Sequence, residues 1–320
     1  MRFLALILTV LIGIPACAAG RGEPKAPAAA EPGYPMELRD GLGNPVTVAQ
    51  RPRRVISLTL TTDEILLSLL DGSRLIGVTT YAVDPVLSNV TQAAERIPNR
   101  LTMNVERIIA LEPDLVFTAD WSRAEDVKQL RKAGLVVYQL RNPATVAEIR
   151  ALIRGVAEIV GEKKRGEEIV RLMDARLETT EKRLAAIPAE KRLSVMDYNT
   201  WGTSMGGGSS WNEIIRLAGL RNAVAGLRTD DWGQVALSKE KLLELDPDIL
   251  FLPGWVDGDA AGSDRFLEQI LSDPALKDLR CVRGRKVLRM PERLKACTSQ
   301  YIVDAVETLA KTAYPDAFHE

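Results

Sequence analysis

Histidine is almost missing from these 320 residues; the single one is His319. A Ser-His-Asp or Cys-His arrangement therefore has no plausible base, and a multi-histidine site for bare zinc or manganese cannot be assembled. Nothing else in the chain is a positive sign of catalysis, so no enzyme, no cofactor and no metal centre is expected. Cysteine is scarce too, at positions 17, 281 and 297. Cys281 and Cys297 could form one disulfide in an oxidising envelope, tying the last strand to the final helix, or remain two separate buried thiols. A basic excess is also lacking: 42 Lys and Arg stand against 43 Asp and Glu, for a net charge of -1. That balance gives no electrostatic reason to expect nucleic acid as a partner. Finally, the apolar run over residues 3–14 is too short to span a bilayer and, following Arg2, reads as the core of an export signal.

What is present fits an exported receptor. Residues 1–17 are expected to be a signal peptide whose Ile14-Pro15-Ala16-Cys17 resembles a bacterial lipobox, which would lipidate Cys17. Ala16-Cys17-Ala18 also fits an ordinary small-residue cleavage site. In the first case the Pro/Ala/Gly-rich residues 18–35 tether the protein to a membrane through the lipid, in the periplasm or at the cell surface. With 46% hydrophobic and 27% charged residues, the rest is a soluble globular chain large enough for two ordinary cores.

Twelve residues occur twice. Residues 106–117 and 240–251 align without a gap, and Glu106/Glu240, Leu111/Leu245, Pro113/Pro247, Asp114/Asp248, Phe117/Phe251 and Trp121/Trp255 are identical pairs, all 134 positions apart (240 minus 106). The offset is too long for a solenoid period and implies two copies of one lobe with a cleft between them. A weaker echo relates Glu64-Ile65-Leu66 to Glu213-Ile214-Ile215.

Around these copies the pattern alternates strand and helix, which predicts parallel sheets. A small hairpin over 36–49 leads into an N-terminal α/β lobe over 36–143, and a C-terminal α/β lobe follows over 188–320. Between them, residues 145–187 contain no proline. Ile149, Ile153, Val156 and Val160 form one apolar stripe there, which Ile169, Leu172 and Leu177 extend. The spacing predicts one long connecting helix over 144–187, weakened but not ended by Gly161 and Gly166. Residues 202–208 are glycine-rich but lack the Lys-Ser/Thr of a phosphate-binding loop; they are expected to be flexible backbone at the rim of the cleft.

The opening hairpin leading into Pro52-Arg53-Arg54-Val55-Ile56-Ser57-Leu58, then Gly77-Val78-Thr79-Thr80-Tyr81, Asn104-Val105-Glu106-Arg107-Ile108 and Leu111-Glu112-Pro113-Asp114-Leu115-Val116, together resemble the periplasmic binding proteins of ABC importers for iron chelates, haem and vitamin B12. The resemblance covers almost the whole mature chain. It implies two α/β lobes joined by a single long helix, with the ligand in a shallow cleft and an ABC permease as partner. It further implies that Glu106 and Glu240 dock onto arginines of that permease. Each sits in the first turn of a helix capped by Asn104 or Ser238, where a carboxylate is also an ordinary helix stabiliser.

Ligand contacts are expected where α/β sheets bind ligands, at the carboxyl ends of strands. Trp121, Trp255 and Tyr81 follow strands, Trp201 and Trp232 occupy loops of the second lobe, and such large flat side chains suit a bulky ligand. Arg100, Arg123 and Arg293 could pair with carboxylate or catecholate oxygens of a chelate. A ferric siderophore is the first expectation and a corrinoid the second; haem ranks lower without a cleft histidine, although Tyr81 could serve as an axial ligand. A monomeric receptor is expected. Two other classes stay open: an envelope enzyme, since paired glutamates also serve glycosidases, and a sensor or scaffold on the same fold.

Overall fold

The computed structural model describes residues 32–256, 260–295 and 297–318; the leader, Cys17 and His319 lie outside them. Strands β1 (Met36–Arg39) and β2 (Pro45–Val48) pair antiparallel, and the Asp40 carboxylate closes their turn by accepting from the Leu42 and Asn44 N–H groups. The first lobe then runs β3 (Val55–Ser57), α1 (Leu60–Leu69), β4 (Leu75–Thr79), α2 (Thr91–Ala94), β5 (Asn99–Leu101), α3 (Val105–Ala110), β6 (Leu115–Ala119), α4 (Ala124–Lys132) and β7 (Val137–Leu140). Its sheet has the order β5-β4-β3-β6-β7 and every ladder in it is parallel. The order reverses between β3 and β6, which opens a crevice at their carboxyl ends.

Two helices follow, α5 (Val146–Ile159) and α6 (Lys163–Leu184). The second lobe continues with β8 (Ser194–Asp197), β9 (Thr203–Met205), α7 (Ser210–Leu217), β10 (Arg221–Asn222), β11 (Gln234–Ala236), α8 (Lys239–Leu245) and β12 (Ile249–Pro253). It ends with α9 (Ala260–Ser272), α10 (Arg280–Arg283), β13 (Val287–Met290), α11 (Glu292–Lys295) and α12 (Ile302–Ala313). Its parallel sheet has the order β10-β8-β12-β13, and β9 and β11 form a separate antiparallel ribbon. One continuous apolar core joins the two sheets through Leu66, Ile153, Leu177, Ile214 and Val306, from α1, α5, α6, α7 and α12.

The repeated segment is a helix-to-strand turn built twice. Asn104 and Ser238 each accept the N–H three residues on, from Arg107 at 2.9 Å and Lys241 at 3.2 Å. The residues before the two prolines, Glu112 and Asp246, both take left-handed backbone, with φ of 46° and 38°. A non-glycine residue pays roughly 1–2 kcal/mol for that conformation, and an arginine holds each turn by donating to the carbonyl there: Arg54 to Glu112 at 2.9 Å, Arg280 to Asp246. Asp114 and Asp248 then fasten the turn to the neighbouring strand, accepting from the Arg54 N–H at 3.0 Å and the Ser194 N–H at 2.8 Å. The Leu/Pro/Asp identities are thus explained by local geometry.

The connector differs from its expectation. A single long helix does join the lobes, but it is α6 alone; residues 146–159 form the separate helix α5 packed beside it. Gly161, at φ 74°, takes the left-handed position after the α5 C-cap, and the N–H groups of Gly161 and Glu162 turn back to the carbonyls of Glu158 and Ala157. This paired closure is the standard way a glycine ends a helix, and here it outweighs the continuous helical periodicity. The stripe Ile149, Ile153, Val156, Val160 and, in α6, Leu177 are buried as expected, whereas Leu172 is exposed and α6 also buries Val170, Met173 and Leu184. Gly166 sets the spacing of the pair, because a Cβ there would stand 2.4 Å from the Ala157 Cβ. Gly166→Ala is therefore expected to destabilise the protein by about 1–2 kcal/mol in denaturant titration, overpacking outweighing the better helix propensity of alanine.

Two further expectations are corrected. The glycine-rich segment is not loose backbone: residues 203–205 are strand β9, and a Cβ on Gly207 would meet the Ala225 carbonyl oxygen at 2.4 Å. Close backbone approach, rather than flexibility, accounts for glycine at 207. Cys281 and Cys297 are free and buried, in different apolar clusters, so no disulfide joins them.

Candidate functional site

The carboxyl ends of both sheets carry the exposed aromatic side chains. Tyr81 follows β4, Trp121 follows β6 and Trp255 follows β12, with 57%, 55% and 36% of their surface exposed. Trp201 and Trp232 are more open still, at 81% and 77%. Of the five tryptophans only Trp211 is buried, edge-on against Phe251. Large apolar side chains this open mark a contact surface where they lie together. Trp201 and Trp232 are not brought to one place, however. Thr203 pairs with Ala236 and Met205 with Gln234, so the two tryptophans flank opposite ends of the β9–β11 ribbon.

A cavity of about 250 Å³ lies between the lobes, lined from the first by Thr61, Glu64 and Tyr81 and from the second by Glu292, Arg293 and Thr298. A larger hollow of about 630 Å³ beside Arg150, Asp174 and Glu213 lies along the helices and touches no strand end. The smaller cavity is the better candidate, because it sits where the two sheets direct their carboxyl ends. Of the arginines singled out, only Arg293 lines it. Arg100 donates to the Glu95 carbonyl at 2.7 Å, and Arg123 lies exposed 4.0 Å from Asp126.

The floor of this cavity is a hydrogen-bonded seam between the lobes. The Thr61 and Thr298 hydroxyls lie 2.6 Å apart, the Arg293 N–H donates to the Val86 carbonyl at 3.1 Å, and the Asn89 side chain donates both to the Arg293 carbonyl at 2.9 Å and to Glu64 at 2.8 Å. The other Glu64 carboxylate oxygen accepts from the Ser299 hydroxyl of the second lobe. Burial pushes the Glu64 carboxyl above its ordinary range, against the lowering effect of these donors. Beside it, Asp63 is buried under the end of β4, accepts from the Thr79 N–H and hydroxyl, and is raised by burial to about 7. The Cys297 thiol, also at the seam, is pushed up to about 12 by burial and is not poised as a nucleophile. In the second lobe Asp197, at the end of β8, is paired at 2.9 Å with Lys295 and accepts from the Ser204 hydroxyl.

Sequence patterns gave only part of this seam. Glu64 stood out as half of the weaker internal echo, yet its counterpart Glu213 forms an ordinary pair with Arg216 at 2.9 Å. The asymmetry lies in what faces each helix, and it becomes visible only once α12 is docked. Glu106 and Glu240 are both exposed at the first turns of their helices, on the same edge of each sheet as the aromatics. The Glu240 carboxyl is held below its ordinary value by hydrogen bonds from Ser238 and from its own N–H.

Residues 55–294 match the periplasmic binding protein family, and the chain belongs to it. It is a solute-binding protein of the kind that serves ABC transporters, not an enzyme. Among its relatives, an uncharacterised ABC transporter substrate-binding lipoprotein of Bacillus subtilis, YvrC, is 25% identical over 295 residues, covering 90% of this chain and 88% of that protein. The molybdate-binding protein MolA of Haemophilus influenzae is 25% identical, with 88% and 86% covered. Its molybdate-bound structure superposes with a TM-score of 0.72 over 88% of this chain and 92% of that one, at 23% identity. A cobalamin-binding protein of Halobacterium salinarum is 24% identical, with 78% of this chain and 68% of that protein covered.

Proposed function

We propose that this protein captures a bulky metal chelate, a ferric siderophore before a corrinoid, in the inter-lobe cleft and delivers it to the permease of an ABC importer. The observation that carries the reading is the set of open aromatic side chains that follow strand ends, Tyr81 and Trp121 in one lobe and Trp201 and Trp255 in the other, of which Tyr81 lines the cavity. Flat apolar faces of this kind suit a ligand with extended organic surface better than a small oxyanion, which calls for a compact set of charged donors. Arg293, which lines the cavity, would supply one charge for a chelate that carries carboxylate or catecholate oxygens. The corrinoid reading draws support from the cobalamin-binding relative.

Protein purified from its own organism tests this directly. Ferric chelates and corrinoids both absorb visible light and differ in native mass, so a coloured complex of matching mass is expected. A colourless protein that instead retains molybdate would overturn the reading. Alanine at Tyr81, Trp201 or Trp255 is expected to weaken binding of the identified ligand by about tenfold or more each, as for aromatic anchors generally. Tryptophan fluorescence titration measures it, and unchanged affinity in all three variants would move the site elsewhere. Delivery would use Glu106 and Glu240, and attachment to the membrane would use a lipid on Cys17, as the lipoprotein relative's description suggests for that relative.

A further inference from the structure

The described chain begins beside a cluster of cations. Tyr34 donates its hydroxyl proton to the Ile159 carbonyl at 2.8 Å, which fixes the entry of the chain at the turn between α5 and α6. Around that turn a hollow of about 560 Å³ is lined by Arg51, Arg53, Arg74 and Arg165, with Asp71 and Glu162 as its acids. Glu162 is already engaged by Arg51 at 2.7 Å and Arg74 at 2.8 Å, and Asp71 accepts from the Ser73 hydroxyl at 2.6 Å. Lys163, Lys164 and Arg165 extend the cluster over exposed surface, with Glu158 3.5 Å from Lys163. The first turn of α6 contains no acidic residue. Three consecutive cations at the positive end of a helix dipole work against the helix, so helix stability does not explain them. Glu167 and Glu168 follow on exposed surface and Arg154 pairs with Glu167 at 3.0 Å, so cations still outnumber acids here and, in a chain of net charge -1, form a local basic pole of modest excess.

We propose that this pole rests on the anionic phospholipid headgroups of the membrane to which the tether is attached. The inference depends on the lipid-anchor reading of Cys17. From Cys17 to the first described residue, 32, are 15 steps (32 minus 17), whose covalent length limits the separation to about 50 Å. An anchor on that leash holds the pole within reach of the bilayer. Each cation brought to an anionic leaflet strengthens attachment by on the order of fivefold. The pole also lies opposite the proposed permease-docking edge: Arg53 and Arg74 precede β3 and β4, at the amino ends of the parallel strands, whereas Glu106 and Glu240 stand at the edge of the carboxyl ends. Resting on lipid and docking on the permease are then mutually exclusive orientations of one tethered body.

The mature protein, floated with vesicles of phosphatidylcholine alone or with one-third phosphatidylglycerol, provides the test, read by the rate at which an amine-reactive ester acylates individual lysines. Flotation with both vesicle types is expected, together with several-fold slower acylation of Lys163 and Lys164, and not of Lys239, when phosphatidylglycerol is present. The triple variant Lys163→Glu, Lys164→Glu, Arg165→Glu should float equally well but lose the phosphatidylglycerol-dependent slowing of hydrogen exchange expected for the wild-type amides around Tyr34 and Arg51. Failure to float with neutral vesicles removes the anchor and the proposal with it. Flotation with equal acylation in both vesicle types overturns the basic pole alone. Protection reproduced by inorganic phosphate without vesicles assigns the cations to a free anion and also overturns it.

Discussion

Reversing both carboxylates proposed for docking, Glu106→Lys with Glu240→Lys, is expected to reduce ligand uptake by at least about a hundredfold while leaving ligand affinity unchanged. The two side chains are exposed, stand in equivalent first turns and take no part in the cavity between the lobes. If, as proposed, these anions meet permease arginines, a cation in their place sets like charges together across the interface, which is far more damaging than deletion of a rim contact. Glu106→Gln with Glu240→Gln provides the graded control, since glutamine keeps the size and the hydrogen-bonding reach but not the charge. Its uptake should fall between wild type and the reversal. The helices should survive, because Asn104 and Ser238 still cap them, and far-ultraviolet circular dichroism checks this. Full uptake by the reversal variant, or loss of its ligand affinity, would remove these residues from the docking role.

What could be read from the chain follows from the range of the interactions involved. Asn104, Ser238, Pro113 and Pro247 act on residues within a turn of themselves, so the duplicated helix-to-strand unit was legible down to its caps. The same locality misled at 144–187. Periodicity continues through Gly161 in sequence, but the chain reverses there because Gly161 adopts φ 74° and Arg51 and Arg74 gather on Glu162 from more than eighty positions away. The ribbon of β9 and β11 joins strands of three residues across an intervening helix and strand, too short to show an alternating pattern. At the candidate site, Tyr81 was legible as a residue that follows a strand and Arg293 as a cation suited to chelate oxygens, and both line one cavity. Thr61, Asn89, Thr298 and Ser299 were not, since small polar residues gain meaning only from the partner that crosses from the other lobe. Arg100 and Arg123 share the residue type but face other groups, a carbonyl and an adjacent aspartate.

Folding stability is expected to fall as pH rises from about 4 to about 7, and Asp63 is the main cause. Its carboxyl is fully buried, the Ser57 hydroxyl and the Thr79 N–H and hydroxyl act on it as donors, and the neighbouring Glu64 carboxylate adds a like charge. Burial outweighs the hydrogen bonds and raises it from 3.8 to about 7. A group raised in the folded state binds its proton more tightly there than in the unfolded chain. Its contribution is therefore complete below the unfolded value, declines through the interval, and is gone above the folded one. The interval corresponds to on the order of 4 kcal/mol. Asp63→Asn replaces the carboxylate with a neutral group of the same shape that still accepts from the Thr79 N–H. In urea titrations the variant should match wild type near pH 4 and exceed it by a few kcal/mol near pH 8. Glu64, raised in the same direction, leaves a residual slope in the variant. Identical slopes in both proteins would mean that Asp63 is ionised in the fold across this range.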